Sequence, residues 1–320
     1  MTAPDWQANA TPAVATRRAE LLARVREYFQ AQHVLEVEVP TLSPTVIPET
    51  HIDHISAHST AAGPLYLQAS PEAFMKRLLA SGYPDIFALA RAYRDGEIGT
   101  RHALEFTLLE WYRHGFELQQ IIDDTVGVIA AALNLPALTQ VTSLSYREAL
   151  KRAGIDCTAN AEDLAAALSA DADLQQAIGD DADTWLDLAL STRAAPQFST
   201  ERLTVIYHYP ASQAALARIS PDDANVADRF EVFLGEIELA NGYVELADPV
   251  EQAARFDIAI KQRLADGKRT PPPDDRLLAA LQHGLPACAG VALGIERLHL
   301  ILEHSDTIKS VQSFTIQPNG

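Results

Sequence analysis

Two β-prone runs flank a polar loop between Ala90 and Arg113, in the segment ARAYRDGEIGTRHALEFTLLEWYR. The second run alternates with a period of two residues, which puts every second side chain on one face of a strand. That face carries an aromatic ring, an aliphatic chain, a carboxylate and a phenol: Phe106, Leu108, Glu110 and Tyr112. The segment therefore predicts paired strands with polar chemistry on one face, and a fold built around a sheet.

Arg94 ends the first run, where its side chain can enter the same cleft. A guanidinium is a permanently charged fork for phosphate oxygens, and an aromatic face such as that of Phe106 can stack on a purine. The pattern indicates an ATP site. Its alternative is an ordinary hairpin with a half-buried face and a solvated arginine at its tip.

A second segment, RFEVFLGEIELANGYVEL, carries a strong signal for a two-residue turn at Asn241-Gly242. A turn there places Glu238 directly opposite Glu245, and like charges in that position destabilise a sheet. We therefore expect a cation between them, either Mg²⁺ shared with substrate phosphates or an ammonium group of a ligand. If Asn241-Gly242 is instead a bulge in one continuous strand, both glutamates still share a face. A solvated acidic edge is the remaining alternative.

The third segment, GVALGIERLHLILEH, predicts a strand of small residues that leads into a helix. Arg297 falls in the first turn of that helix, where backbone amides already favour anions. Glycine at positions 290 and 294 permits a ligand to approach the backbone closely. The same spacing also lets a strand and a helix pack closely, so this segment alone is weak evidence for a site.

The chain resembles class II aminoacyl-tRNA synthetases of the lysine-specific branch, through five segments in order: VLEVEVPTLSP, YLQASPEAFMKRLL, RAYRDGEIGTRHALEFTLLEWY, GEIELANGYVEL and GVALGIERL. The resemblance spans roughly residues 17 to 316. Within that branch, the chain is most similar to short paralogues that attach (R)-β-lysine to a lysine side chain of translation elongation factor P. The resemblance implies an α+β fold, the class II catalytic core, with a mainly antiparallel, mixed six-stranded sheet flanked by helices.

The same resemblance implies an ATP-dependent, AMP-forming ligase that uses Mg²⁺ and acts as a homodimer. It assigns the catalytic roles to Arg94, at the α-phosphate and carboxylate, and to Arg297, at the γ-phosphate. The implied ATP-binding residues are Arg94, Glu97, His102, Phe106, Glu238, Leu239, Gly294 and Arg297. The implied residues around the β-lysine are Ser70, Pro71, Glu72, Tyr112 and Glu245. The implied metal ligands are Glu238 and Glu245.

Glu97 enters that set as a replacement. Many relatives have Arg-Asn-Glu where this chain has Arg94-Asp95-Gly96, so the usual acid that meets the adenine amino group is missing. Ala292 also stands where many tRNA-charging relatives have glycine, which would narrow the pocket and favour a shifted amino group.

Domain organisation follows from length and pattern. We expect a flexible N-terminal tail over residues 1–16 and one catalytic domain over residues 17–320, with a helical insertion at about 145–197. An amphipathic helix is predicted from Thr16 to Ala31, and the resemblance puts it in the dimer interface. Cys157 and Cys288 lack metal-type spacing, and no apolar run approaches a membrane span, so we expect a soluble, cytoplasmic protein without a membrane partner.

Charge bears on the choice of acceptor. Lys plus Arg is 25 against Asp plus Glu 43, a formal net charge of -18, whereas tRNA binding requires a basic footprint. We also expect the anticodon-binding domain of the tRNA ligases to be missing. Two rival functions stay open. One is a ligase for α-lysine or tRNA, and the other is a non-catalytic paralogue that senses an amino acid.

Overall fold

The computed structural model describes residues 6–136 and 140–316. The first five residues of the predicted tail and the last four of the predicted domain therefore lie outside the described residues. The strands are β1 (Leu35–Glu36), β2 (Leu42–Ser43), β3 (Ser56–Ser59), β4 (Gly63–Leu67), β5 (Ile86–Tyr93), β6 (Glu105–His114), β7 (Thr142–Ser145), β8 (Thr204–Pro210), β9 (Val226–Leu234), β10 (Ile237–Val244) and β11 (Cys288–Gly294).

The α-helices of the described residues are α1 (Pro12–Ala31), α2 (Glu72–Ala80), α3 (Leu118–Leu133), α4 (Tyr146–Arg152), α5 (Ala161–Leu168), α6 (Ala172–Ile178), α7 (Ala182–Ala189), α8 (Pro249–Ala265), α9 (Asp275–Gly284) and α10 (Ile295–Leu302). Within the described ranges, no helix is both long and apolar enough to cross a bilayer.

The main sheet has the order β1-β5-β6-β11-β10-β9-β8-β7 in the described residues. Its six central strands are antiparallel, while the outer strands β1 and β7 run parallel to their neighbours. The predicted α+β class with a mainly antiparallel, mixed sheet is confirmed. The number of six strands that the resemblance implied was wrong, because the short outer strands β1 and β7, of two and four residues, add one strand at each edge of the six antiparallel ones. A small sheet, β2-β4-β3, was not predicted.

Helices α1, α3 and α10 cover one face of the main sheet. The apolar stripe of α1 packs there as predicted, with Leu21, Val25 and Phe29 fully buried. The helix begins at Pro12, not at the predicted Thr16, because Thr11 caps it: the Thr11 hydroxyl accepts a hydrogen bond from the backbone N–H of Val14 at 3.4 Å.

Helices α2, α8 and α9 lie on the opposite side and form a second core with β5, β6 and β11. Met75 and Leu79 of α2 pack there with Phe256 of α8 and Leu277 of α9. This face of the sheet carries the polar side chains of the candidate site, so α2 closes one of its ends.

A third core lies between α4 and the segment that ends at Gln197. Tyr146 and Trp185 are buried in it and pack against the outer strands β8 and β9 through Tyr209 and Phe233. The helices of this segment fall within the range where a helical insertion was predicted. They meet the main sheet at its β8–β9 side, next to one end of the candidate site.

The predicted turn at Asn241-Gly242 was wrong. Both residues lie inside β10, which pairs with β9 on one side and with β11 on the other. The turn falls earlier, at Gly235 and Glu236, between β9 and β10. Gly242 is needed for close packing and not for a turn, because a Cβ there would come within 2.8 Å of the Phe230 ring and of a Val291 methyl group.

The register of β10 also corrects the predicted glutamate pair. Glu238 pairs with Phe233 across the ladder, not with Glu245, and the register shifts between Glu238 and Ala240. The skipped residue is therefore Leu239. Leu239 and Ala240 are both buried in the main core, so Glu238 is displaced to the opposite, polar face of the sheet. The alternative prediction was one continuous strand with a bulge at Asn241-Gly242. The strand is continuous, but its bulge lies at Leu239.

Candidate active site

The junction of β11 and α10 fixes one wall of the site. Arg297 stands in the first turn of α10, whose N-cap is Gly294, as the sequence predicted. Glu296, which is 2% exposed, accepts hydrogen bonds from the backbone N–H of Thr107 and from the guanidinium of Arg18, each at 2.8 Å. These bonds tie α10 to β6 and to α1, so the direction of Arg297 is set by buried contacts.

Three predicted residues meet at the open end of the site. Arg297 donates to the backbone oxygen of Glu238 at 2.7 Å and lies 3.4 Å from the Glu238 carboxylate. Its second terminal nitrogen is 3.1 Å from Nε2 of His102. Burial, with the nearby Arg297 charge, lowers the pKa of His102. A neutral imidazole beside a guanidinium leaves the cationic charge of Arg297 available to an anion.

Arg94 lies at the end of β5, above the ring of Phe106. Its guanidinium carbon is 5.2 Å from the ring centroid, and its Nη1 is 3.6 Å from the Glu97 carboxylate. The arginine thus occupies space over the ring face that was predicted to stack on adenine, and it has to share that face with a purine. We call Arg94, Glu97, His102, Glu238 and Arg297 the open cluster.

The far end of the same face is closed. Lys76 of α2 is 1% exposed and its Nζ lies 2.7 Å from Glu72 and 2.5 Å from Glu245. The Tyr243 hydroxyl donates to the same Glu72 oxygen at 2.6 Å. Although burial disfavours the charged ammonium, Glu245 and Glu72 raise the pKa of Lys76, so it stays protonated. The cation expected beside Glu245 is therefore present, as a side chain of the protein itself.

Two groups of β6 complete this end. The Tyr112 hydroxyl donates to Oε1 of Glu110 at 2.7 Å, and both residues are 2% exposed. Burial, reinforced by Glu72, raises the pKa of Glu110 well above its ordinary value. Burial likewise raises the pKa of Glu245, although Lys76 opposes the shift. The buried cluster is defined by Glu72, Lys76, Glu110, Tyr112, Tyr243 and Glu245.

Gly290 of β11 forms the floor of the buried cluster. A Cβ at this position would lie 2.5 Å from the Glu245 carboxylate and 2.5 Å from the Tyr112 ring. A side chain of any size therefore collides with two pocket groups. At Gly294, in contrast, a Cβ would meet Arg297 at 3.5 Å, an ordinary contact.

The remaining predicted residues have minor geometric roles. Pro71 is the N-cap of α2, and the Ser70 hydroxyl accepts a hydrogen bond from the backbone N–H of Glu72 at 3.4 Å. The Leu239 side chain is buried in the main core, which leaves only its backbone for contact with a nucleotide. Glu238 and Glu245 belong to different clusters, so the geometry that suggested a metal shared between them is absent.

Sequence reasoning missed several charged residues on this face. Lys76 follows Glu72 by four residues on a helix, a spacing typical of ion pairs. Arg229 and Glu231 alternate with the buried Phe230 and Val232 in β9, a pattern that could have been found by parity. Glu49 lies in an irregular segment and gives no periodic signal.

Arg229 connects β9 to β10 beside the open cluster. It donates to Glu231 at 2.7 Å, to Asn241 at 3.3 Å and to the backbone oxygen of Gln213 at 2.8 Å. Burial, with the neighbouring Glu238, raises the pKa of Glu231 to about 7. Each acid of the Glu231–Glu238 pair has an arginine beside it, Arg229 for Glu231 and Arg297 for Glu238.

Glu49 adds a further carboxylate between the two clusters. Its charge interacts with Glu72 on one side and with Arg94 and Arg229 on the other. Burial, with the nearby Glu72, raises the pKa of Glu49 to about 7. Arg263 holds the segment in place, because its guanidinium donates to the Glu49 backbone oxygen at 2.9 Å.

Comparison with known proteins agrees with this architecture. The model of tRNA synthetases class II (D, K and N) matches residues 4–318. The chain belongs to this family of class II synthetases.

Individual relatives share a narrower name. Proteins called elongation factor P–(R)-β-lysine ligase match from Photorhabdus laumondii, at 38% identity, and from Vibrio cholerae, at 40% identity, each over 98% of both chains. A third, from Klebsiella pneumoniae, is 39% identical over 97% of both chains.

Proposed function

We infer that this protein is an ATP-dependent, AMP-forming ligase that activates (R)-β-lysine as an adenylate and transfers it to a lysine side chain of translation elongation factor P. The observation that carries the proposal is the division of one sheet face into two ends. Carboxylates that suit amines are buried at one end, and arginines that suit phosphates stand at the other. The shared name of the relatives supports the particular substrates.

The buried cluster provides the amine end. Glu72, Tyr112 and Glu245 frame the two amino groups of the β-lysine, and Ser70 and Pro71 shape the helix start from which Glu72 projects. Charged hydrogen bonds in a site closed to water are stronger than those at the surface. The proposed pocket therefore recognises amines and orients the carboxylate of the substrate towards Arg94.

The open cluster provides the nucleotide end. Arg94 binds the α-phosphate and the substrate carboxylate, and Arg297 binds the γ-phosphate. Phe106 stacks on adenine, and Glu97 accepts from the adenine amino group. His102 lies beside the phosphates, close to Arg297. The backbones of Leu239 and Gly294 line the nucleotide.

Mg²⁺ fits Glu238 alone better than the predicted pair of Glu238 and Glu245. Glu245 already faces Lys76 in the buried cluster, whereas Glu238 is 38% exposed and lies beside Arg297 at the end of the site proposed for phosphates. Mg²⁺ is commonly held by one or two carboxylates together with substrate phosphates. We propose Glu238 as its protein ligand. The ion would offset negative charge on the phosphate oxygens.

The reaction has two steps. A carboxylate oxygen of β-lysine attacks the α-phosphorus of ATP, and pyrophosphate leaves as the adenylate forms. A neutral lysine amine of the acceptor protein then attacks the acyl carbon; AMP leaves, and the amine loses a proton as the amide forms. Arg94 and Arg297 stabilise the charge on the phosphate oxygens, so catalysis rests on positioning and electrostatics and needs no protein nucleophile.

The proposal also includes the domain bounds, the oligomeric state and the cellular location. We propose a catalytic domain over residues 17–320 with a helical insertion at about 145–197, which forms a cytoplasmic homodimer through α1. The formal charge of -18 supports a protein acceptor and disfavours tRNA, because nucleic-acid binding depends on basic surface. It also favours a basic loop around the acceptor lysine.

Pyrophosphate exchange is the first test of the activation step. We expect exchange with (R)-β-lysine to exceed that with (S)-β-lysine and with α-lysine. A preference for α-lysine would support an ordinary lysine ligase, and no exchange with any of them would support a non-catalytic sensor.

Acceptor choice needs a second measurement. With ATP, Mg²⁺ and (R)-β-lysine present, we expect elongation factor P to gain the mass of one β-lysyl group, while acid-precipitable counts on tRNA stay at background. Transfer to tRNA without transfer to the protein would contradict the proposal.

A further inference from the structure

Lys76 is the one cation of the buried cluster, and the proposed reaction does not use it. Its ammonium lies between Glu72 and Glu245, with a side chain only 1% exposed. The ring of Tyr243 lies beneath it, with 5.5 Å between Nζ and the ring centroid. A lysine buried to this extent is costly unless it is paired, so its contacts with both carboxylates maintain it there.

A charged or hydroxyl group of the cluster lies against one oxygen of each carboxylate. Lys76 faces Oε1 of Glu72 and Oε2 of Glu245, while Tyr112 donates to Oε1 of Glu110. Oε2 of Glu110 and both carboxylate oxygens of Glu245 are buried and have no hydrogen-bond partner within the described part of the chain, so the contact of Lys76 with Glu245 is an ion pair. The cluster therefore presents buried, unsatisfied acceptors, and the ammonium of Lys76 holds the Glu245 carboxylate in place by charge, at its Oε2.

The charges of the cluster match a ligand with two amines. When ionised, the three carboxylates of Glu72, Glu110 and Glu245 face a single ammonium from Lys76, so two further positive charges are needed for balance. A diamino acid supplies two once its carboxylate is joined to AMP as a mixed anhydride. Glu49 also lies near Glu72, but Arg94 and Arg229 oppose its charge.

We propose that Lys76 is a positioning residue that determines amine specificity: its ammonium fixes Glu72 and Glu245 and leaves a deficit of two charges, which selects an acyl substrate with two amino groups. This inference rests on the proposed function. Lys76 does not touch the reacting atoms, and it acts through the two carboxylates that it holds.

The test compares Lys76→Met, which keeps the length of the side chain and removes its charge, with Lys151→Met on the exposed surface of α4 as the matched control. Exchange by the wild-type protein with (R)-β-lysine is measured first, so that failure of the proposed function is seen separately. We expect Lys76→Met to raise the KM for (R)-β-lysine by about tenfold or more, with the KM for ATP changed by less than about twofold. Lys151→Met should match the wild type in the KM for (R)-β-lysine and in the KM for ATP.

Lys76→Ala with added ethylammonium or propylammonium provides the second measurement. The truncated side chain leaves room for a small amine, so we expect these ions to lower the KM for (R)-β-lysine again, while the uncharged alcohols of the same length do not. Thermal unfolding of each variant checks the fold. The proposal is overturned if Lys76→Met keeps a wild-type KM for (R)-β-lysine. It is equally overturned if both KM values rise together and alkylammonium ions rescue neither, since that pattern belongs to a purely structural lysine.

Discussion

The two ends of the candidate site hold their charges differently. In the buried cluster, Lys76 lies 2.7 Å from Glu72 and 2.5 Å from Glu245, and all three side chains are at most 9% exposed. In the open cluster, Arg297 lies 3.4 Å from the Glu238 carboxylate and the two side chains are 26% and 38% exposed. The amine end is thus arranged before any substrate arrives, whereas the arginines of the phosphate end keep much of their charge available for the ligand.

This difference predicts different tolerance to substitution. Buried ion pairs cannot relax into water, so small changes of shape at the amine end should be costly. Exposed ion pairs are weak and screened by salt. A substitution at the open end should therefore lower the affinity for ATP only by the contribution of the contact that it removes.

Gly290→Ala should have the largest effect, because its methyl group would lie 2.5 Å from Glu245 and from the Tyr112 ring. We expect kcat/KM for β-lysine to fall by about 100-fold or more, since a displaced carboxylate misorients the acyl group. Gly294→Ala, with its nearest contact at 3.5 Å, should raise the KM for ATP by less than about threefold. Steady-state pyrophosphate exchange measures kcat/KM for β-lysine and the KM for ATP in each variant. Equal losses of activity in the two variants would contradict the difference between the two ends.

Arg297→Met should have the next largest effect. It removes the contacts with Glu238 and His102 together with the charge that meets a phosphate. We expect the KM for ATP to rise about 10- to 100-fold. The KM for β-lysine should stay within about twofold, because the contacts of Arg297 among the described residues are with Glu238 and His102 and not with the buried cluster. An increase in the KM for both substrates would mean that the two ends are coupled.

Glu49→Gln should change the pH dependence of stability. The pKa of Glu49 is raised from 4.5 to about 7, so its native-state preference for the protonated form stabilises the fold below pH 4.5 and is lost as the pH rises through 7. Glutamine cannot ionise. We expect the variant to be more stable than the wild type at pH 8 by on the order of 1 kcal/mol, with a smaller difference at pH 4.5. Urea unfolding at both pH values provides the measurement, and an unchanged difference would contradict the assignment.

Glu97→Gln should have the smallest effect. Its carboxylate lies 3.6 Å from Arg94 and is 33% exposed, and pairs of this kind contribute little. We expect the KM for ATP to change by less than about threefold. A much larger increase, measured in parallel with GTP as a competing nucleotide, would mean that Glu97 reads the adenine amino group strongly.

The sequence predicted the parts of the site that depend on local periodicity. The shared face of Phe106 to Tyr112 follows from a two-residue period, and the helical position of Arg297 follows from the change in pattern after Gly294. Both predictions depend only on residues that are close together in the sequence, and the folded chain keeps the strand and the helix that these residues favour.

The rest depends on neighbours that are distant in sequence. Asn241-Gly242 carries a strong local turn signal, but β9 and β11 pair with it on both sides and keep it extended. The burial of Lys76 depends on Glu245, which is far away in the sequence. Glu49 has no secondary-structure pattern, so only the tertiary fold reveals that it faces Glu72 and Arg94.

The extra residue at Leu239 makes the spacing of β10 as important as its composition. If the strand kept Leu239 but ran without the bulge, every residue would be retained, yet Glu238 would point into the apolar layer that now holds Leu239 and Ala240. The open cluster would lose its acid without any substitution. The opposite change leaves the acid in place: a strand without Leu239 alternates regularly and keeps Glu238 opposite Phe233, so a one-residue gap in an alignment at this point still compares equivalent acids.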